Sequence, residues 1–276
     1  MQEAPQTWHY GLVARWWAEF NEGGPEIEYF QRFIERDGQP ALDVACGTGR
    51  LLLPYVRAGL DVDGCDVSPD MIRLCREQAE REGLSPTLFV QAMHELDPPR
   101  TYRTVFVCGG YGLGSTREQD LEALVSMRDC LEPGGTLVLD NEVPYANARQ
   151  WSHWPKGELR SELPRPWGEP GEPRRASDGN DYALASRMLS LDPLEQQAVL
   201  EMRAYMWRDG ELLAEEEHRI TLNLYFRNEL LLMLERAGFV DVVVHGDHRE
   251  QEATPDHDFL VFVARKPPSP AGGSSP

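Results

Sequence analysis

Positive charge is scarce in this chain. Its 276 residues carry 27 lysines and arginines against 46 aspartates and glutamates, a formal net charge of −19. A protein that grips a phosphate backbone needs a basic stripe, so the balance argues against nucleic acid as a partner. No basic amphipathic stretch favours a membrane surface, and no apolar run approaches the roughly 20 residues of a membrane span. The opening MQEAPQTWHYGL has no basic segment followed by an apolar one, so no signal peptide is expected. Cysteine is sparse and unpatterned. Cys46, Cys65, Cys75, Cys108 and Cys130 are odd in number, widely spaced and free of any CxxC pair. That excludes a disulfide framework or a thiolate metal cluster and suits reduced thiols, so a cytoplasmic location is expected. Internal repeats are absent too.

What remains is a rhythm. Aromatics near helical spacing in 8–20 predict a helix, and a second is expected from Pro25 to Glu35. Strand-like runs follow at 40–44, 60–65, 86–90, 104–108 and 136–140, with helical patterns at 49–58, 68–82 and 115–131. Ser68-Pro69-Asp70 reads as a cap, a first-turn proline and an early acid. Ser115 with Glu118 reads as a capping box. Strands alternating with helices predict an α/β fold, a parallel sheet covered on both faces.

The rhythm breaks at 151–180, rich in proline, glycine and charge. Three alternating segments follow, the last two joined by the hairpin signal Asp209-Gly210. Ala198, Leu200, Met202, Ala204 and Met206 fall on one face; Arg203, Tyr205 and Trp207 fall on the other. This predicts a three-stranded antiparallel meander inserted in the main domain. A helix at 228–238 and strands at 239–246 and 259–266 complete it. The boundaries are a helical cap at 1–38, a core at 39–142 and 225–266, an inserted lid at 143–224, and a disordered tail at 267–276.

The chemistry concentrates in LDVACGTGR (42–50). A strand running into two glycines lets backbone approach a ligand closely. The dinucleotide fingerprint G-x-G-x-x-G has Leu52 at its third glycine, and Asp43 beside the loop would repel a pyrophosphate. A cationic ligand would be attracted instead. Asp66, ending the next strand, suits ribose hydroxyls with either ligand.

With GCDVSPDM, FVQAMHELD, VFVCGGYG, LEPGGTLVLD and AGFVDVVV in order, the chain resembles a class I S-adenosylmethionine-dependent methyltransferase over 40–140 and 224–266. The resemblance implies a Rossmann-like sheet of seven strands, mainly parallel, with an antiparallel lid after strand five. It implies S-adenosyl-L-methionine as cofactor. Asp43, Ala45, Gly47 and Gly49 then lie at the methionine part, Asp66 at the ribose, and Val67, Met71 and Met93 at the adenine. Cys108 and Gly109 lie near the transferred methyl. The family often has an acid where Ala92 stands. Tyr10, on the helix expected to close over the cofactor, joins the set.

Substrate-pocket candidates are Tyr111, Glu142 and Tyr145, which follow strands four and five, and His218 on the lid. Trp151, His153 and Trp154 either cap a substrate or anchor the connection. His245, Asp247, His248, Asp256 and His257 are metal-ligand types, but their spacing matches no metal pattern, and no metal is expected. No catalytic dyad is legible. The expected function is O- or N-methylation of a small-molecule acceptor, with a homo-oligomer possible. The alternatives are a non-catalytic cofactor-binding module and a nicotinamide-dependent oxidoreductase.

Overall fold

The computed structural model describes residues 7–157 and 162–269. Helices α1 (Gly11–Phe20) and α2 (Glu26–Asp37) precede the alternating core. There β1 (Ala41–Val44), α3 (Leu52–Arg57), β2 (Val62–Asp66), α4 (Pro69–Arg81), β3 (Leu88–Val90), β4 (Tyr102–Val107), α5 (Arg117–Cys130) and β5 (Leu131–Glu142) follow in turn. After the short α6 (Ala148–Trp151) come β6 (Arg174–Arg175), β7 (Asp181–Asp192), β8 (Gln197–Arg208) and β9 (Glu211–Asn223). The chain then returns to the core through α7 (Arg227–Arg236), β10 (Val240–Gly246), β11 (Arg249–Glu252) and β12 (Phe259–Arg265).

The main sheet runs β11-β10-β12-β5-β4-β1-β2-β3. β3, β2, β1, β4 and β5 are parallel neighbours, and β12 returns antiparallel to β5. Both faces are covered, which is why the central strands read as apolar runs. Val105 and Val107 of β4 pack with Leu124 and Met127 of α5 and Leu230 and Leu234 of α7. Phe106, between them, packs with Phe30 of α2 and Tyr55 of α3 on the opposite face.

The sheet has eight strands where seven were expected. The eighth, β11, is four exposed polar residues that no apolar pattern could reveal. Asp247 and His248 turn it back on β10 with φ of 47° and 53°, the left-handed pair a two-residue hairpin needs. The lid has four strands, not three. β6, two residues long, lies in the stretch read as irregular and pairs with β7. The capping box sits one residue later than predicted. Thr116 Oγ1 accepts from the Gln119 amide while Gln119 returns the bond, and Ser115 Oγ donates instead to Asp120. Ser68 caps α4 as expected. Residues 1–6 of the helical cap and 270–276 of the tail lie outside the described residues.

Helix α1 joins core and lid. Ala14 packs with Met71 and Leu74 of α4, and Val13 with Met202 and Ala204 on the lid's apolar face. Its two leading amides donate to carboxylates from either side, Gly11 N to Asp70 Oδ2 at 2.8 Å and Leu12 N to Glu216 Oε2 at 2.7 Å. Gly11 has a φ of 52°, and a Cβ there would fall 2.0 Å from the Glu216 carboxylate. Glu216→Ala therefore removes a helix cap worth about 1 kcal/mol. Hydrogen exchange of the 11–15 amides should speed several-fold, and unchanged exchange would show that Asp70 alone holds the helix.

Candidate functional site

The site lies where the carboxyl ends of β1, β2 and β4 meet α1, the place an open α/β sheet offers for a ligand. Asp43, one residue before the end of β1, is buried with 3% exposure. The chain then turns through Ala45 (φ 61°) and Gly47 (φ 56°). Asp66, ending β2, holds this turn. Its Oδ2 accepts from Gly47 N at 3.0 Å and its Oδ1 from Ser68 N at 2.8 Å. Each carboxylate oxygen keeps a further lone pair for a ligand hydroxyl.

Nine residues singled out in the sequence share this cavity: Asp43, Ala45, Gly47, Asp66, Val67, Met71, Met93, Cys108 and Gly109. A Cβ on Gly47 or Gly109 would meet no atom within 4 Å, so both bare backbones face open cavity. Gly49 does not line it. A Cβ there would fall 2.7 Å from Cys75 Sγ and Leu53 Cγ, so its need for glycine is one of packing. Tyr10 does not line it either, and caps α1 only through its backbone. Its neighbour His9 does, with its carbonyl accepting from Ser68 Oγ at 2.6 Å and its ring edge-on to Trp17. Burial pushes the His9 imidazole down to about 4, so it is neutral at physiological pH.

Trp17, weighed from the sequence as core or cofactor cover, lines the same space, and so do Asn21, Gln91 and Arg50, which sequence reasoning missed. Gln91 and Met93 face it where Ala92 does not. Arg50 stands in the quoted motif and could have been weighed there. It pairs with Glu26, donates to Gly23 O at 2.8 Å and reaches Cys108 Sγ at 3.6 Å. No local signal marked His9.

Electrostatics favour a cationic or hydroxyl-bearing guest. Burial raises the Asp43 carboxyl well above its ordinary range, with Arg50 opposing and Asp66 adding to the rise. Burial likewise raises Asp66 from 3.8 to about 6, against the two amides that favour its charge. Two buried carboxylates that resist ionisation gain from a ligand cation or hydroxyl donors. A carboxyl held above its unfolded value favours folding only while protonated. That contribution is full below about pH 4 and is lost as pH rises through about 6. Binding of a hydroxyl donor runs the other way, since it needs the ionised acceptor.

A second cavity adjoins the first, and Gly109 and Leu113 line both. Tyr111 and Glu142 line it as well. The Tyr111 hydroxyl donates to Asp120 O at 2.9 Å, so it serves the scaffold. Burial, then the Asp258 charge, raises the Glu142 carboxyl. Tyr145 lies outside, edge-on to Trp151. His218 is on β9 against Glu216 at 3.3 Å and lines neither cavity.

The five metal-ligand candidates of the 245–257 stretch do not converge. His245 Nδ1 bonds Tyr29, Asp247 accepts from Asp258 N and Phe259 N, and His257 bonds Thr254 and Gln251. His248 instead reaches Asp140, 108 residues away, at 3.0 Å. Asp140 also accepts from Gly109 N at 2.6 Å and from the Cys108 thiol at 3.3 Å. These bonds account for the Cys108–Asp140–His248 cluster, and the Arg50 guanidinium beside the thiol disfavours a cation there.

Residues 41–135 match the family model of a methyltransferase domain. Residues 41–135 thus carry a methyltransferase domain, and the chain as a whole is similar to class I S-adenosylmethionine-dependent methyltransferases. It is 28% identical over 154 residues to a ubiquinone biosynthesis O-methyltransferase of Xanthomonas euvesicatoria, covering 50% of this chain and 61% of that one. The chain thus spans about three fifths of the length of such curated relatives. The CcbJ methyltransferase of Streptomyces caelestis superposes with a TM-score of 0.68 at 21% identity, covering 95% and 99% of the two chains. The sugar N-methyltransferase KedS8 of Streptoalloteichus superposes at 0.64 with 20% identity, covering 97% and 99%. At such identity the superpositions speak for the fold alone.

The family's cofactor, S-adenosylmethionine, fits the residues present. A sulfonium and an ammonium suit the buried Asp43 and Asp66, ribose hydroxyls suit the free lone pairs of Asp66, and the bare backbones of Gly47 and Gly109 leave room. A pyrophosphate would meet the same two acids.

Proposed function

We propose that this methyltransferase transfers a methyl group to an oxygen or nitrogen of a small-molecule acceptor. The observation that carries this reading is the junction of the two cavities at Gly109 and Leu113, one framed by the glycine loop and α1, the other by the lid. S-adenosylmethionine, when bound, supplies an electrophilic methyl on a sulfonium. Asp66 would hold the ribose hydroxyls and Asp43 the cationic methionine end. Val67, Met71 and Met93 would flank the adenine. Cys108 and Gly109 would stand beside the methyl, at the boundary.

The acceptor would enter from the second cavity. In-line alignment and exclusion of water supply most of what the displacement needs. A hydroxyl or ammonium acceptor must also lose a proton. Glu142, with its raised carboxyl, is the group in that cavity best suited to take it. Lid residues Leu222, Asn223 and Leu224 wall the same cavity, which supports the lid as the seat of acceptor choice. The acidic charge balance supports a small acceptor over a nucleic acid.

Calorimetry tests the reading. S-adenosylhomocysteine is expected to bind in the micromolar range, roughly −8 kcal/mol, and NADH far more weakly. Comparable or tighter NADH binding would overturn the assignment. Affinity for S-adenosylhomocysteine should rise about tenfold between about pH 5 and 7.5 as Asp66 ionises, and Asp66→Asn should flatten the rise. A flat wild-type profile would show that the carboxylate does not receive the ligand. Turnover of methyl-labelled cofactor against amines and phenols separates an enzyme from a binding module.

A further inference from the structure

Beside the acceptor cavity the lid carries a groove of opposite character, with Asn147 and Gln150 lining both. Its volume is about 400 Å³. Arg149, Arg165, Arg187 and His153 line it, and no carboxylate does among the described residues. In a chain with 46 acids and 27 bases, an acid-free cavity with three arginines is a local reversal of the protein's charge.

Two of the arginines are fixed by bonds. The Arg187 guanidinium donates to Glu201 Oε2 at 2.5 and 2.8 Å. Arg219 donates to the other Glu201 oxygen at 2.8 Å, so the buried acid is shared by two cations, and with Arg203 on Glu215 and Glu217 the three arginines and three glutamates of this face balance. Arg187 also lies 4.4 Å over the Trp167 ring, which Arg203 contacts at 4.2 Å. Arg165 is set by its backbone amide, which donates to Met188 O at 2.9 Å, and its guanidinium donates to His153 Nε2. Neither Arg149 nor Arg165 has an acidic partner among the described residues. Planar guanidiniums without carboxylates are matched by oxyanions, which they grip with paired charge-assisted bonds.

We propose that this groove is an oxyanion subsite of the acceptor site: it holds a phosphoryl or carboxylate group carried by the molecule that is methylated. Arg149 and Arg165 contact the anion directly, and Arg187, held by Glu201 and stacked on Trp167, forms the wall beside them. The shared Asn147 and Gln150 let one molecule span from the anion groove to the junction where its nucleophile meets the methyl. The proposal rests on the methyltransferase reading for the acceptor and on the groove alone for the anion.

Calorimetry on the full chain with inorganic pyrophosphate as probe tests the groove, with S-adenosylhomocysteine titrated in the same samples. Pyrophosphate should bind the wild type in a salt-sensitive manner. Arg165→Ala and Arg149→Ala should each weaken it by about tenfold, leaving S-adenosylhomocysteine affinity within about twofold. Absent pyrophosphate binding, or binding indifferent to both substitutions, would overturn the subsite. Failure of S-adenosylhomocysteine to bind would instead count against the methyltransferase reading, while the pyrophosphate titration still decides the groove. In a metabolite extract supplied with methyl-labelled cofactor, the labelled product should be retained by an anion exchanger at neutral pH. A labelled product that passes through would overturn the acceptor's anionic character.

Discussion

Asp66→Ala is expected to weaken S-adenosylhomocysteine binding by more than tenfold while the protein stays folded. The carboxylate is 8% exposed at the end of β2 and faces the cavity. Charge-assisted hydrogen bonds to two ribose hydroxyls are worth about 1.5–3 kcal/mol each, so losing them exceeds a factor of ten. The substitution also unties Gly47 N and Ser68 N, which slackens the glycine loop and the start of α4. Folding should suffer less than binding. Raising this carboxyl from 3.8 to about 6 means that its ionised form opposes folding at neutral pH by ~3 kcal/mol, which removal relieves. Calorimetry with a thermal melt reads both quantities. An unchanged dissociation constant in a folded variant would remove Asp66 from the cofactor site.

Asp120→Ala should destabilise the protein by about 3–5 kcal/mol. Asp120 is fully buried in the first turn of α5. Its oxygens accept from Ser115 Oγ at 2.5 Å, Asn223 Nδ2 at 2.8 Å and Tyr225 Oη at 2.6 Å. Asn223 and Tyr225 are where the lid rejoins the core, so one carboxylate ties α5 to the lid's exit. Alanine would strand buried donors, each costing about 1–3 kcal/mol. Asp120→Asn keeps one acceptor oxygen and should lose less. Urea denaturation checks both. A loss for Asp120→Ala below about 1 kcal/mol would mean that the donors find other partners.

Much of the fold was legible because burial on both faces writes apolar runs into β1, β4 and β5 and because the helices between them carry the helical period. Asp209-Gly210 announced its hairpin, with φ of 52° and 84°. β11 was illegible because an edge strand with no buried face has no pattern to show, and β6 because two residues have no period. The cap of α5 slipped because Ser115 and Thr116 are both competent, and only packing directs Ser115 to Asp120.

The site divides along the same line. Asp43, the glycine turn and Asp66 were readable because a strand–turn–helix unit places its own ligand groups within a short stretch of chain. His9 and the Asp140–His248 pair were not, because contacts across 59 or 108 residues follow from which helix lands on which strand end. The anion groove belongs wholly to the tertiary structure. Arg149, Arg165 and Arg187 carry no pattern of their own along the chain. Only the course of the lid past β7 leaves them facing one space, with no carboxylate among the described residues that line it.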